Sequence, residues 1–182
     1  MWLVVVNPKA GIGAAASLAT QVVGFLQSHQ IAYRMISPNS AVETKALVRQ
    51  SLQSGEATKL LSIGGDGLFH LLLQLAIEFK VPLAITPGGT GNDFYRTLGW
   101  FGHDLTDYLE HLVSTTPTFV DVGVVDGEYF GAVLSSGFDS VVNERANKMK
   151  WPKGPAKYNV AIALELPKFT PIEFKIFADE KV

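Results

Sequence analysis

The amino-acid sequence predicts an α/β fold built on a parallel sheet, followed by part of a β-rich second domain. Two observations support this fold class. In the first half of the chain, short runs rich in β-branched residues alternate with helix-length segments whose apolar residues recur at helical spacing. After about residue 117, the pattern changes to short strands around a turn signal. Strands that alternate with helices form a parallel sheet with both faces covered.

The first half is predicted to hold four strands and three helices. The predicted strands are Trp2–Val6, Ile31–Ile36, Lys59–Ile63 and Pro82–Ile85. The predicted helices are Ala14–Ser28, Ala41–Ser54 and Leu68–Phe79. The apolar residues of the third helix share one face, which assigns them to the core.

The second half begins with a predicted β-hairpin. Its strands, Phe119–Val125 and Tyr129–Ser135, flank Asp126-Gly127, which is a strong hairpin turn signal. The elements predicted after the hairpin are the helices Phe138–Lys148 and Ala156–Leu166 and a strand, Ile172–Ala178. We therefore predict a first domain over residues 1–117 and an incomplete β-rich domain over residues 118–182.

The composition is that of an ordinary globular protein, with 47% apolar and 18% charged residues. The formal charge of −2 argues against a nucleic-acid partner. The sequence has no cysteine, which excludes disulfides and thiolate metal sites. The N-terminus lacks a basic leader, and no apolar run approaches the roughly 20 residues that span a bilayer. We therefore expect a soluble, cytoplasmic chain.

Three loops rich in Gly, Pro and Asn follow strands of the predicted sheet. They are Asn7–Gly11, Gly64–Gly67 and Pro87–Gly91. Because the carboxyl ends of parallel strands share one edge, we expect the loops to line a single rim, where ligands of such sheets bind. Each loop, taken alone, is also compatible with an ordinary turn.

The loop Gly64–Gly67 places three glycines around one carboxylate. A backbone without side chains lets a phosphate chain approach closely, and Asp66 beside it could handle a metal ion or a proton. The third loop region adds Thr90 and Asn92 as neutral hydrogen-bonding groups. It also adds Asp93 as a second carboxylate, although Asn92 and Asp93 stand where a helix would be capped. Two acids near bound phosphates suit phosphoryl transfer.

A dinucleotide-binding fold is an alternative, because Gly11–Ala16 fits the pattern G-x-G-x-x-A. Two features oppose it. Residues 7–10 separate the pattern from the first strand, and the second strand leads to Ser37 rather than to the acid that would hold a ribose. A P-loop of the G-x-x-x-x-G-K-[ST] type does not occur in the sequence. A nucleotide would therefore be held in another way.

Together, the three loops resemble those of the catalytic domain in the diacylglycerol kinase and sphingosine kinase family of lipid kinases. That family carries an NPxSG-like loop, a GGDG loop and a P-x-GT-x-ND-F-x-R loop in this order. The corresponding segments here are Asn7–Gly11, Gly64–Gly67 and Pro87–Arg96. The resemblance covers essentially the whole chain, because it continues through Phe119–Gly123, Tyr129-Phe130 and Ser136–Asp139.

The resemblance implies a two-domain enzyme that uses ATP and Mg²⁺ to phosphorylate the hydroxyl of a diacylglycerol- or sphingoid-like lipid at a membrane surface. ATP would lie between an NAD kinase/diacylglycerol kinase-like α/β domain and a β-sandwich. Asp66 is implied to activate the hydroxyl or organise the metal, and Asp93 is the second candidate; metal ligands are not assigned. The residues implied to hold ATP are Asn7, Pro8, Lys9, Ala10, Gly11, Ser37, Gly64, Gly65, Asp66, Gly67, Gly89, Thr90 and Asn92.

Departures from the family pattern limit this expectation. Ala10 replaces the serine of the first loop, and Leu68 and Leu71 stand where polar groups are usual. The family's second domain normally continues further and, in bacterial members, supplies metal-binding acids. We therefore expect weaker nucleotide binding and little lipid kinase activity from these 182 residues. An NAD kinase-related enzyme, a non-catalytic nucleotide-binding or regulatory protein, and homo-oligomerisation stay open.

A basic run interleaved with aromatic residues lies in the second half. It consists of Arg145, Lys148, Lys150, Lys153 and Lys157, with Trp151 and Tyr158 among them. Such a run could touch anionic lipid headgroups and hold the chain peripherally at a membrane. A solvated helix face and loop is the more common reason for such a pattern.

Overall fold

A computed structural model describes residues 1–152, 154 and 156–175 of the chain. Contacts between residues divide the chain into two units, residues 1–133 and 134–182. The predicted hairpin belongs to the first of these units. The predicted domain boundary between residues 117 and 118 stays a prediction.

The first unit is built on a four-stranded sheet in which every neighbouring pair is parallel. The strands are β1 (Trp2–Val6), β2 (Tyr33–Ile36), β3 (Lys59–Gly64) and β4 (Leu83–Pro87). Their order across the sheet is β2-β1-β3-β4. The two central strands, β1 and β3, are almost entirely buried, as their apolar sequences require in a sheet covered on both faces.

Five helices accompany this sheet in the first unit. They are α1 (Ala14–Ser28), α2 (Ala41–Gln53), α3 (Asp66–Phe79), α4 (Asp93–Thr97) and α5 (Leu105–Ser114). Side chains of β1 alternate between two cores: Val4 packs with α1 and α5, whereas Val5 packs with α2 and α3. The sheet is therefore buried on both sides, and its carboxyl edge is where the loops emerge.

The predicted elements of the first half are present, with small differences at their ends. β1 and α1 have the predicted bounds, and α2 ends one residue earlier than predicted, at Gln53. The start of α2 is stabilised by reciprocal capping. Ser40 Oγ accepts a hydrogen bond from Glu43 N at 3.2 Å, and Glu43 Oε2 accepts one from Asn39 N at 2.7 Å.

The helices α4 and α5 were not predicted. The five residues of α4 are too few to show helical periodicity. The start of α5 does carry a sequence signal, because Asp104 is a residue that commonly caps helices. Asp104 Oδ1 accepts a hydrogen bond from Thr106 N at 2.7 Å. This hydrogen bond lowers the pKa of Asp104. Tyr108 then fixes α5 to the sheet by donating to the carbonyl of Ile85 at 2.5 Å, and burial raises the pKa of its hydroxyl.

The hairpin forms around the predicted turn but with shorter strands. β5 (Gly123–Val125) and β6 (Glu128–Phe130) pair antiparallel, and Asp126 and Gly127 both have positive φ angles, as a type I′ turn requires. The strands end early because no other strand of the described chain pairs with the hairpin. Gln74 of α3 holds it in place: its Nε2 donates to Tyr129 O at 2.8 Å, and its Oε1 accepts from Tyr129 N at 3.0 Å.

The second unit is described as a pair of helices, α6 (Phe138–Lys148) and α7 (Ala156–Glu165), and a short 3₁₀ turn, Leu166–Lys168. Its buried core consists of Val142, Ala146 and Ala161. The predicted strand Ile172–Ala178 is not seen over residues 172–175, which have no strand partner among the described residues, and residues 176–178 lie outside them.

One helical stretch among the described residues, Ala10–Ser28, is long and apolar enough to cross a membrane by length and composition alone. This criterion is a mean over the stretch, which contains Ser17, Thr20 and Gln21, so it differs from the uninterrupted apolar run considered in the sequence. The stretch contains α1, whose buried residues pack against the sheet. A helix that covers a sheet also meets such a criterion, so the finding is weak support for a membrane span.

Candidate functional site

The three glycine-rich loops lie side by side at the carboxyl edge of the sheet, because they follow the adjacent strands β1, β3 and β4. Backbone hydrogen bonds continue the sheet into the loops. Asn7 N donates to Ile63 O at 2.9 Å, and Gly88 N donates to Gly64 O at 3.0 Å. The structure thus brings together, on one rim, segments that are far apart in the sequence.

Several glycines of this rim allow the loops to pack against one another. A Cβ atom on Gly89 would lie 2.3 Å from Gly65 Cα, and one on Gly88 would lie 3.0 Å from Gly64 N. A Cβ on Gly11, whose φ is +58°, would lie 2.6 Å from the carbonyl oxygen of Gly88. Real Cβ atoms do not approach backbone atoms as closely as at Gly89 and Gly11, so these two positions need glycine for loop packing, and Gly88 is tightly packed.

Gly67 differs from the glycines inside the rim. A Cβ at this position would meet nothing within 4 Å, and the residue is exposed in the first turn of α3. The helix N-terminus carries the positive end of its dipole and amide groups without helical acceptors. The start of α3 is therefore a part of the rim whose backbone is open to an anionic group.

The carboxylate of Asp66 joins the second loop to the third. Its Oδ2 accepts a hydrogen bond from Asn92 N and its Oδ1 accepts one from Asp93 N, both at 2.8 Å. The backbone at the start of α4 is therefore bound by an aspartate from another loop. Each carboxylate oxygen accepts one backbone hydrogen bond, so Asp66 helps to position the third loop.

Asn92 stabilises the third loop from within. Its side chain pairs with Gly89 in both directions, since Oδ1 accepts from Gly89 N at 2.8 Å and Nδ2 donates to Gly89 O at 2.9 Å. The residue adopts a left-handed conformation with a φ of +55°. Helix capping was the alternative role that the sequence suggested for Asn92. The side chain of Asn92 makes no capping hydrogen bond to α4.

Asp93 presents the second carboxylate of the rim. The residue is exposed, and no hydrogen bond to its carboxylate is found among the described residues. Its own backbone N–H is held by Asp66, which fixes where the side chain leaves the chain. The two acids therefore differ, because Asp66 accepts two hydrogen bonds from the third loop whereas Asp93 is exposed.

The first loop and Ser37 contain the other predicted site residues. Asn7 Oδ1 accepts a hydrogen bond from Lys9 N at 3.2 Å, so this side chain organises its own turn. Pro8 and Ser37 line a groove of about 460 Å³ together with residues of α1. Ala10 packs against the core. Ser37 thus shares a groove with Pro8 of the first loop. Within the described part of the chain, no hydrogen bond joins Ser37 to the other two loops.

Two features of the site were not assigned a role from the sequence. Arg96 Nε donates to Gly91 O at 3.0 Å, and its guanidinium lies 3.6 Å from the ring centroid of Phe101. Phe69 and Phe94 stack with ring centroids 4.3 Å apart, which joins α3 to α4. Phe94 and Arg96 are both part of the third motif, which was the available signal.

The residues of the rim fit a nucleotide better than a protein-held metal ion. Among the residues that the structure describes, no group of three or more His, Asp or Glu side chains could hold a metal. Mg²⁺ in phosphoryl-transfer sites needs one or two carboxylates, because water and phosphate oxygens supply its other ligands. The exposed carboxylate of Asp93 meets that smaller requirement.

Comparison with known proteins agrees with this mixed α/β architecture and its glycine-rich rim. Residues 1–125 match the model of the diacylglycerol kinase catalytic domain, and residues 132–182 match that of the YegS C-terminal NAD kinase β-sandwich-like domain. The chain therefore belongs to the diacylglycerol kinase catalytic domain family. The predicted family and the fold class, including part of a β-sandwich domain, are confirmed.

Individual relatives agree with this assignment. A diacylglycerol kinase of Mycobacterium tuberculosis is 31% identical over 178 residues, which cover 95% of this chain and 57% of that protein. A YegS-like lipid kinase of Chromohalobacter salexigens is 30% identical and matches 71% of this chain and 43% of its own length. A crystal structure of a diacylglycerol kinase from Bacillus anthracis has 27% identity and a TM-score of 0.59 over 71% of this chain and 47% of that one. The chain thus spans about half the length of these relatives.

Proposed function

We propose that this chain carries the nucleotide-binding site of a lipid kinase, which transfers the γ-phosphate of ATP to the hydroxyl of a diacylglycerol- or sphingoid-like lipid. The observation that carries the proposal is the difference between the surroundings of the two acids. Asp66 fixes the third loop with both oxygens, and Asp93 stands exposed beside the open start of α3. Family membership supports the reaction class.

The phosphates would be held by the rim. The N-terminus of α3 at Gly67 offers amide groups, while the exposed side chains of Lys9 and Thr90 add a positive charge and a hydroxyl. When bound, Mg²⁺ supplies charge neutralisation to the phosphates, and Asp93 is the residue here that would hold it. Glycine at position 67 keeps the approach free of side-chain atoms.

In the proposed reaction, the lipid hydroxyl oxygen forms a bond to the γ-phosphorus, and the bond from that phosphorus to the β,γ-bridging oxygen breaks. ADP leaves, and the hydroxyl proton passes to a carboxylate, for which we propose Asp93, the exposed carboxylate of the rim. Asp66 contributes by holding the backbone of Asp93 in place. Catalysis would rest chiefly on positioning, because the transition state of phosphoryl transfer is loose.

The test compares Asp93→Asn with Asp66→Asn in the 182-residue chain. We expect Asp93→Asn to lower phosphorylated lipid at least about 100-fold where the parent is active, without lowering the thermal midpoint of unfolding. Asp66→Asn should lower both, because only one of its two amide contacts can keep an oxygen acceptor.

The control is Asp107→Asn, which removes an exposed acid on α5. It should leave turnover, ATP binding and stability unchanged. Turnover by Asp93→Asn equal to that of the parent would remove Asp93 from the chemistry. Calorimetry with ATP and Mg²⁺ is measured in parallel, so binding and catalysis are read separately.

A non-catalytic nucleotide-binding protein is the second candidate function. Two positions where the family pattern has polar groups are used here for packing, since Ala10 lies against one core and Leu71 is buried in the other. ATP binding by the chain, without phosphorylation of diacylglycerol, a sphingoid base or NAD, would favour this role. Phosphorylation of NAD alone would instead favour the NAD kinase-related alternative.

A further inference from the structure

Gln74 is a polar residue in an apolar stretch of α3. The other residues from Leu71 to Ile77 are all apolar. The side-chain Nε2 of Gln74 donates to Tyr129 O at 2.8 Å and to His70 O at 3.1 Å, and its Oε1 accepts from Tyr129 N at 3.0 Å. The amide therefore exchanges hydrogen bonds with Tyr129 in both directions, as a residue of a neighbouring antiparallel strand would.

A second side chain of α3 contacts the same strand. His70 lies four residues before Gln74, which places both on one face of the helix. Its Nε2 lies 3.6 Å from Glu128 Oε2, and the two side chains are 48% and 69% exposed, respectively. An ion pair so exposed contributes little to stability. The attachment of β6 to α3 therefore depends mainly on Gln74.

Gly131, which follows β6 directly, lies against the stacked rings of Phe69 and Phe94. A Cβ atom on Gly131 would lie 2.8 Å from Phe69 Cε1 and 3.0 Å from Phe94 Cδ2. Gly131 does not have a positive φ angle, so a larger residue is limited here by space. Both rings are buried, and the backbone that leaves β6 helps to cover them.

The aromatic stack lies beside the two acids of the rim. Phe94 follows Asp93 in the chain, and Phe69 lies nearly one helical turn after Asp66. The stack therefore joins α3 to α4 where Asp66 accepts hydrogen bonds from Asn92 N and Asp93 N, both at 2.8 Å. Because a close-packed interior leaves little free space, displacing either ring moves the helix that carries it and disturbs these hydrogen bonds.

We propose that Gln74 and Gly131 are positioning residues for the candidate site. Gln74 fixes β6 to α3, and β6 holds Gly131 against the aromatic stack. The stack in turn holds α4 where Asp66 can bind the backbone amides at its start. The inference rests on the proposed function only for its consequence in catalysis, which is a fixed direction of the Asp93 carboxylate.

Attachment of the hairpin alone is the simpler role for these contacts. In that case, a change at Gln74 would loosen β6 and leave the third loop as it is. The two roles differ at the backbone amides of Asn92 and Asp93, because their hydrogen bonds to Asp66 report the contact between the second and third loops.

The experiment measures amide hydrogen exchange by NMR on the isotope-labelled 182-residue chain, without ATP. Gln74→Met replaces the amide by an apolar side chain of similar length. We expect exchange at Tyr129 N to become at least about tenfold faster, since it loses its acceptor. Exchange at Asn92 N and Asp93 N should become at least about threefold faster, because the contact between α3 and α4 loosens.

Gly131→Ala tests the other end of the same connection. Its Cβ would enter the space of the Phe69 and Phe94 rings. It should therefore change the amide chemical shifts of Asn92 and Asp93 and speed their exchange at least about threefold. This variant leaves the side chain of Gln74 in place, so it tests the proposal even if Gln74→Met does not fold.

Matched controls come from α1 and α2. Gln50→Met removes an exposed amide of α2 for which no side-chain hydrogen bond is found in the described part of the chain. Gly24→Ala adds a Cβ in α1 that meets nothing within 4 Å. Exchange at Tyr129, Asn92 and Asp93 should equal that of the parent in both. Far-ultraviolet circular dichroism on every variant establishes that the helices are retained.

Two results would overturn the proposal. One is a folded Gln74→Met chain in which exchange at Tyr129 is unchanged, or is faster while Asn92 and Asp93 exchange as in the parent. The other is a folded Gly131→Ala chain whose Asn92 and Asp93 amides match the parent. A parent chain that phosphorylates no lipid leaves the exchange result intact, and lipid phosphorylation without this coupling leaves the proposed reaction intact.

Discussion

Residues 1–133 bury the apolar faces of a four-stranded sheet beneath helices on both sides, whereas residues 134–175 leave much of their apolar surface in solvent. In the first unit, Leu60 and Leu72 are completely buried. Among the described residues of the second, the buried apolar cluster is Val142, Ala146 and Ala161, while Leu166 is 61% exposed. Leucine side chains thus form the core of the first unit, whereas Leu166 of the second unit lies largely in water.

This contrast shows where to look for function in each unit. A parallel sheet covered on both faces leaves its carboxyl edge as the natural place for a ligand. A pair of helices with a small core has few interior positions, so many of its apolar residues lie in water. The candidate site of the first unit therefore lies in its loops, and the second unit is distinguished by the apolar residues on its surface.

The largest effect expected from this contrast is a matched pair of leucine substitutions. Leu72→Ala should lower the free energy of unfolding by about 2–5 kcal/mol, because it opens a cavity in a closed core. Leu166→Ala should change it by less than about 0.5 kcal/mol, because its side chain is largely in water. Urea denaturation followed by circular dichroism measures both. Similar losses for the two variants would show that α7 is covered in the native protein.

The second prediction concerns the packing of the loops at the sheet edge. Gly89→Ala should cost about 1–3 kcal/mol, because the new Cβ would overlap Gly65. Gly67→Ala should be neutral or stabilising by up to about 1 kcal/mol, since the space is empty and alanine favours a helix. Thermal unfolding distinguishes the two. If both glycines tolerated alanine equally, the loops would not be held together by this close approach.

The smallest effect comes from comparing an aromatic pair in each unit. Phe94→Leu breaks the buried stack with Phe69 and should cost about 0.5–1.5 kcal/mol beyond the loss of burial. Phe169→Leu breaks the edge contact with Phe138, whose centroid is 5.1 Å away, and should cost less because Phe169 is half-buried. Urea midpoints are the readout. A larger loss for Phe169→Leu would indicate a better-packed second unit than the one described.

The fold of the first unit was largely predictable because its signals are local. Helical spacing and β-branched runs mark β1, α1 and the third helix within short windows, and Asp126-Gly127 marks the hairpin turn. The short helix α4 was missed, since five residues carry no period. Strand ends in the hairpin were overestimated, because strand length depends on having a partner to pair with.

The sequence predicted which residues lie together at the candidate site. It did not predict the role of each of them. The motifs placed Asp66 and Asp93 on one rim, with Asp66 as the first candidate for the chemistry and Asp93 as the second. The structure binds both oxygens of Asp66 to backbone amides of the third loop. Which acid acts on the substrate therefore stays a prediction, and the geometry now favours Asp93.

By itself, the sequence determined the alternation of strands and helices, the family, and which loops follow the strands, since these depend on periodicity and on short motifs. The tertiary structure decided which loops touch. Asp66 and Asn92 are 26 residues apart and meet because β3 and β4 are neighbours in the order β2-β1-β3-β4. The close approach of Gly65 and Gly89 and the exposure of α7 have the same origin. Contacts between distant segments depend on how elements pack, and no local pattern encodes that packing.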